Sequence, residues 1–389
     1  MKRWIIRSIV AAVLVAAVGF FVALAPVADR VQNRLLRAPH EPVPDSVAAF
    51  HRQLVIVDLH ADALLWPRDL LARANHGHVD VPRLIEGNVA LQVFGVVTKS
   101  PPGLNYQRNE ASRDQLTFLV AASRWPIATW SNLLARALYQ ATSLRDLEAR
   151  SDGKLPIIRT AGDLDGYLAR RAANRAQTAG LLAMEGLHAL AGNLIRIDTL
   201  YDAGFRMMGL THFFDNEVGG SSAGVAKGGL TDFGRAVVRR LEERHIIIDL
   251  AHASPATVDD VLSMATRPVV VSHTGLAGTC PGPRNLTDDQ VRRIAANGGV
   301  IGIGYWETAV CELSPQAIAK AIRYAVGLAG VDHVGLGSDF DGATTTAFDI
   351  SEVDRITEVL LSNGFSQDEV ARLMGGNALR LLREGLPAQ

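Results

Sequence analysis

Residues 245–274, HIIIDLAHASPATVDDVLSMATRPVVVSHT, contain two apolar runs, 246–250 and 268–271, and each has a histidine two residues beyond its end, His252 and His273. Between them Ser254 fits a helix N-cap, Pro255 the first helical position, and Val258, Val261 and Leu262 follow helical spacing. Continuous apolar runs flanking a helix read as buried parallel strands, so the stretch is a β-α-β unit. Parallel neighbours end on the same side of a sheet, which brings both histidines to one mouth.

Six further strand-like runs follow the same logic, at 55–58, 90–97, 180–184, 206–210, 300–304 and 333–338. Eight runs, most of them separated by helical patterns, predict an α/β chain folded as a (β/α)8 TIM barrel. A doubly wound sheet is the alternative, and the polar residues choose between the two. His60 and Asp62 follow the first run, Glu185 the third, His212 the fourth, His252 the fifth, His273 the sixth and Asp339 the eighth. Only a closed barrel gathers all those strand ends around a common mouth. The longest departure from the repeat, residues 100–167, has helical spacing at 116–122 and 130–147 and predicts a helical insertion after strand two.

The N-terminus predicts export. Lys2, Arg3 and Arg7 precede an uncharged stretch over residues 9–25, apolar to residue 28 apart from Pro26. Segment 1–28 fits an uncleaved transmembrane anchor with its positive end in the cytoplasm, or a signal peptide cut near Ala25, a cut that Pro26 disfavours. Residues 29–46, with Pro39, Pro42 and Pro44, read as a linker, and the folded domain as 47–389. The expected location is the cytoplasmic (inner) membrane with the body outside, periplasmic or extracellular; cleavage would leave it soluble there. A formal charge of −1 gives no footprint for nucleic acid.

In VDLHAD, residues 57–62, strand alternation would point Asp58, His60 and Asp62 one way and Leu59 and Ala61 the other. Nitrogen and oxygen donors at strand ends suit zinc, and also manganese or iron. The expected ligands are His60, Asp62, Glu185, His252 and His273. Five ligands exceed one tetrahedral zinc, so two ions sharing a carboxylate are expected, with Glu185 as the bridge. Asp58 and Asp341 read as supporting residues, His51, His76, His78, His188, His245 and His333 as surface, capping or substrate-loop residues, and GGSSAGVAKGG at 219–229 as a flexible loop rather than a phosphate loop, since it lacks the GK[ST] ending.

These residues resemble the membrane (renal-type) dipeptidases of the amidohydrolase superfamily. The likeness runs from about residue 54 to 382 through DLHAD (58–62), HVDVPRLIEGNVALQ (78–92), MEG (184–186), LTH (210–212), DLAH (249–252), SHT (272–274), PRN (283–285), AANGGV (295–300) and GLGSDFDG (335–342). The family's pattern has Gly and commonly Asn where this chain has Leu59 and Ala61. The resemblance implies a dizinc dipeptidase with His60 and Asp62 on one Zn2+, His252 and His273 on the other, and Glu185 between them. Its substrate residues fall on His212, Arg284 and Asp339. The roles expected are a metal-bridging hydroxide as nucleophile, Asp339 as proton shuttle, His212 on the oxyanion and Arg284 on the C-terminal carboxylate of a dipeptide. Alternatives are an amidohydrolase acting on N-acyl amino acids, lactones or β-lactams, and an inactive membrane-tethered binding protein. The membrane through the N-terminal segment is an expected partner, and a homodimer is left open. Cys280 and Cys311, which follow adjacent strands six and seven, are expected to form a disulfide, as the family's corresponding loops also suggest.

Overall fold

The computed structural model describes residues 2–36 and 41–388. Eight parallel strands close into a barrel in chain order: β1 (Ile56–Ala61), β2 (Val89–Val97), β3 (Ala179–Glu185), β4 (Phe205–Gly209), β5 (Ile247–Asp249), β6 (Val270–Thr274), β7 (Val300–Ile303) and β8 (Val334–Leu336). Every residue of these eight strands is buried, as expected where one face meets the barrel interior and the other the helical layer. The connecting helices start at polar caps. Ser254 accepts from the Thr257 N–H ahead of helix Pro255–Met264, and Thr287 accepts from that of Gln290 ahead of Asp288–Ala296. The insertion after β2 is helical as expected, with Leu116–Ala122 and Leu133–Arg150.

The C-terminal helix Asn377–Gly385 packs Leu381 and Leu382 in one cluster with Val57, Leu59, Leu91 and Val93. That cluster corrects an expectation. The register of β1 against β2 shifts between Asp58 and Ala61, so strict alternation fails. Leu59 lies in this cluster with Val57, whereas Ala61 lies in the other, larger core cluster with Phe94, and Asp58 lies beside its register partner Gln92 and bonds to it and to Ser338. Asp58, His60 and Asp62 do not share one face.

The N-terminal segment also departs from expectation. No helix among the described residues is long and apolar enough to cross a membrane. Helix Lys2–Val18 loosens into a π-helix over Gly19–Leu24 before Ala25–Gln32 resumes, so the transmembrane helix expected within 1–28 is not found. Nor do residues 29–46 form a plain linker. Asp29 is buried, Arg34–Leu35 pairs in parallel with Thr345–Thr346, and helix Asp45–His51 opens the body. Pro39 lies outside the described residues. Cys280 and Cys311 are bonded, with Cα atoms 5.3 Å apart.

Candidate metal centre

The C-terminal ends of six strands supply the polar residues of the mouth. His60 lies one residue before the end of β1 and Asp62 follows the strand, Glu185 ends β3, His212 follows β4, His252 follows β5, His273 lies in β6 and Asp339 follows β8. All seven are buried. Glu185 stands at the centre with its two carboxylate oxygens facing different partners. Oε1 lies 2.9 Å from His252 Nε2 and 3.4 Å from the Nε2 atoms of His273 and His212; Oε2 lies 3.6 Å from His60 Nε2. His60 Nε2 is in turn 3.4 Å from Asp62 Oδ1, and the Nε2 atoms of His252 and His273 are 3.0 Å apart.

Three overlapping sets, His60–Glu185–His273, Glu185–His212–His252 and His60–Asp62–Asp339, each bring their donor atoms within 4.8 Å of one another. The five ligands expected from the sequence are thus together, with His212 and Asp339 also in reach.

The hydrogen bonding of the cluster is incomplete in the way a cation would complete. His60 Nδ1 and Nε2, Asp62 Oδ1, Glu185 Oε2 and His252 Nδ1 are buried without a hydrogen-bond partner. Leaving buried polar atoms unpaired costs about 1–3 kcal/mol each, which a closed protein core would not retain without return. Burial holds His252 and His273 well below the ordinary imidazole range, with Arg284 adding to the effect at both and His60 at His273, so both keep the neutral form that carries a lone pair. Burial would raise Glu185, but the facing His212 and His60 and the bonds from His252 and His273 outweigh it and hold its carboxyl well below the usual range. Asp62 is pushed up to about 6 by burial and by repulsion from Glu185. Burial would lower His60, but the charges of Asp62 and Glu185 outweigh it and hold its imidazole well above the ordinary range, so a cation there would take the place of its proton; with neutral His252 and His273 and the crowded carboxylates, the donor set fits zinc-like ions.

The backbone is bent to present these groups. His252 and Asp339 have φ of 64° and 58°, a left-handed conformation costing roughly 1–3 kcal/mol each in non-glycine residues, and found where surroundings impose it. Asp62 donates its N–H to the Phe340 carbonyl at 2.9 Å, which ties the loops after β1 and β8 together. Asp58 holds the same seam from below through the Ser338 N–H and hydroxyl at 2.8 and 2.7 Å.

Asp339 is buried, and burial with repulsion from Asp62 and Glu185 raises it well above the carboxylate range, against the opposing pull of His60 and Arg284. Arg284, in the loop after β6, donates Nη2 to the His273 carbonyl at 3.0 Å and reaches Thr274 Oγ1 at 3.5 Å, while its buried Nε has no partner. A buried guanidinium whose protein partners are neutral is prepared for an anion. His212 faces Glu185 through Nε2, and its Nδ1 lies 3.5 Å from the Lys99 carbonyl.

Several contributors were not recognised from the sequence. Gly95 in β2 abuts the cluster: a Cβ there would sit 2.5 Å from Asp62 Oδ1 and 2.7 Å from His60 Cε1. An isolated glycine inside the apolar run 90–97 was the available signal. Loop 219–229 is not flexible by construction, since Asp215 accepts the N–H groups of Ser221, Val225 and Ala226 at 2.7–2.8 Å. His78 is not a surface residue. Its Nδ1 accepts from the Asp341 N–H at 2.9 Å, and Asp341 also pairs with Arg68 at 2.8 Å, which helps hold its carboxyl well below the usual range despite burial.

Comparison with known proteins agrees with this geometry. A family model described as membrane dipeptidase (Peptidase family M19) matches residues 45–386. The chain is 30% identical over 356 residues to the dipeptidase aclJ of Aspergillus oryzae (strain ATCC 42149 / RIB 40), covering 84% of this chain and 77% of that one. Among solved structures, one described as the dipeptidase AC, a metallopeptidase of family M19, superposes with a TM-score of 0.70 at 25% identity, covering 85% of this chain and 98% of that one. A metallopeptidase from Rhodobacter sphaeroides, liganded with a phosphinate mimic of the dipeptide L-Ala-D-Ala, superposes with a TM-score of 0.69 at 23% identity over 85% and 99% of the two chains.

Proposed function

The chain belongs to the membrane dipeptidase family, peptidase family M19, and is a metal-dependent dipeptidase; from that premise we propose that it works with two zinc ions and selects substrates by their free C-terminal carboxylate. The observation that carries the two-ion reading is Glu185, whose Oε1 faces His252 and His273 while Oε2 faces His60. His60 and Asp62 would hold one ion, His252 and His273 the other, and Glu185 would bridge them.

When bound, such ions polarise a carbonyl and lower the pKa of water toward neutrality. The chain's own residues then divide the remaining work. Arg284 pairs the substrate's C-terminal carboxylate through its free Nε edge, which fixes the length of peptide that fits. Asp339, whose surroundings raise its affinity for a proton, would in its ionised form accept a proton from the attacking water and return it to the departing amine. His212 stands beside Glu185 and stabilises negative charge on the carbonyl oxygen as the tetrahedral state forms. Burial of all these groups excludes bulk water and strengthens each interaction.

The body is further proposed to lie outside the cytoplasm, with residues 1–28 at the membrane. The basic start, the uncharged stretch over residues 9–25 and the Cys280–Cys311 bond support that placement.

The deciding experiment profiles the metal-restored protein against free dipeptides, N-acyl amino acids, lactones and a β-lactam. Turnover of dipeptides that is lost on chelation and regained with zinc is expected. Turnover confined to one of the other classes would replace dipeptide with that substrate, and turnover of none would leave a binding protein.

A further inference from the structure

The segment before the barrel is latched to the loops that carry the site. Asp29 is fully buried and pairs with Arg68 Nε at 2.9 Å and His76 Nε2 at 3.1 Å. Asn33 donates to Asp29 Oδ1 at 2.8 Å and accepts from the Ala343 N–H at 3.0 Å. Arg68 also pairs with Asp341, two residues beyond Asp339. With the Arg34–Leu35 pairing to Thr345–Thr346, these contacts fix helix Ala25–Gln32 against the loops after β1 and β8.

The latch places one helical face at the mouth. Leu24, Ala28 and Gln32, at i, i+4 and i+8, form one wall of a cavity of about 210 Å³ that reaches Asp62 and His212. Leu65 and Trp66 after β1, Leu116 and Leu119 of the insertion helix, and Phe213 also line it. Asp62 is the only charged residue in that lining, so away from the metal centre the cavity is suited to an apolar group.

Arg284 is placed elsewhere, in the loop after β6 against His273 and Thr274. A dipeptide with its carboxylate on Arg284 and its scissile carbonyl at Glu185 and His212 would carry its N-terminal residue away from the loop after β6, and the cavity reaches the mouth at Asp62 after β1 and His212 after β4. We infer that the cavity formed by residues 24–32, the insertion helix and Trp66 receives a large apolar side chain on the N-terminal residue of the substrate, so that the segment preceding the barrel sets specificity. The inference rests on the dipeptidase reading above.

The test uses the full chain and ratios of kcat/KM, which cancel differences in active fraction. The parent should favour Leu-Ala over Gly-Ala by about tenfold or more, the scale of apolar side-chain discrimination. Leu24→Trp should cut that ratio by about tenfold, chiefly through KM for Leu-Ala. Leu24→Ala should instead raise the ratio of Trp-Ala to Leu-Ala, and Ala28→Trp should act as Leu24→Trp does. In all three the ratio of Gly-Leu to Gly-Ala should stay at the parent's value, since it reports the other residue. Parent-like N-terminal ratios in the variants, or an equal change in both series, would overturn the inference while leaving the dipeptidase reading intact. A parent that cleaves no dipeptide would remove both.

Discussion

Stripping metal from the folded chain and restoring zinc should raise its melting temperature in two increments. The buried centre leaves His60 Nε2, Asp62 Oδ1 and Glu185 Oε2 unpartnered, so a cation binds the folded state with groups already gathered and desolvated. At free zinc a hundredfold above Kd, each site contributes about 2.7 kcal/mol. A body the size of the matched region, residues 45–386, has an unfolding entropy on the order of 0.7 kcal/mol/K, so each ion should raise Tm by about 4 °C and the pair by about 8 °C. Glu185→Gln removes a charge that faces both histidine sets and should diminish both increments. Asp62→Asn touches only the His60 side and should diminish one. Scanning calorimetry across a zinc-buffer series, with chelated protein as reference, reads these shifts. A single increment in the parent, or two undiminished increments in Glu185→Gln, would refute the shared-carboxylate arrangement.

Three further outcomes follow from individual residues. Asp339→Asn keeps the shape of the side chain but not its proton affinity, so bound metal measured by elemental analysis should be unchanged while kcat falls by about 10²-fold or more; wild-type turnover would remove Asp339 from proton transfer. Gly95→Ala puts a methyl group against Asp62 and His60, and zinc affinity measured by competition with a chromogenic chelator should fall by about tenfold or more, whereas unchanged affinity would show that the neighbouring strands yield freely. Replacing Cys280 and Cys311 together by Ser releases a closed loop spanning a separation of 31 residues and should cost about 3–4 kcal/mol in the chain-entropy model, read from denaturant unfolding; a loss under about 1 kcal/mol would mean that the loop is held by packing alone.

The barrel was legible because parallel strands buried on both faces are written as unbroken apolar runs, and the site because its histidines and carboxylates stand just past those runs. What was hidden depends on distant partners or on irregular backbone. The register shift between Asp58 and Ala61 puts Leu59 and Ala61 in different core clusters, and Asp58 finds its partners in Gln92 and Ser338, which alternation cannot foresee. The proline-rich stretch around residues 29–46 looked like a tether because Asp29 and Asn33 find their partners at Arg68, His76 and Ala343, far along the chain. Loop 219–229 looked mobile from its glycines, yet a single carboxylate, Asp215, binds several of its N–H groups. The expected membrane helix had the composition of a span, but its winding changes at Gly19.

If the metal centre acts on a dipeptide held by its carboxylate, the most direct measurement compares kcat/KM for one dipeptide with that for its C-terminal amide, in the zinc-restored parent and in Arg284→Met. The parent should favour the free acid by about 10²-fold or more, because the amide leaves a buried guanidinium unpaired. Arg284→Met should lose most of its activity on the acid through KM and hardly distinguish the two. Equal cleavage of acid and amide by the parent would contradict the account.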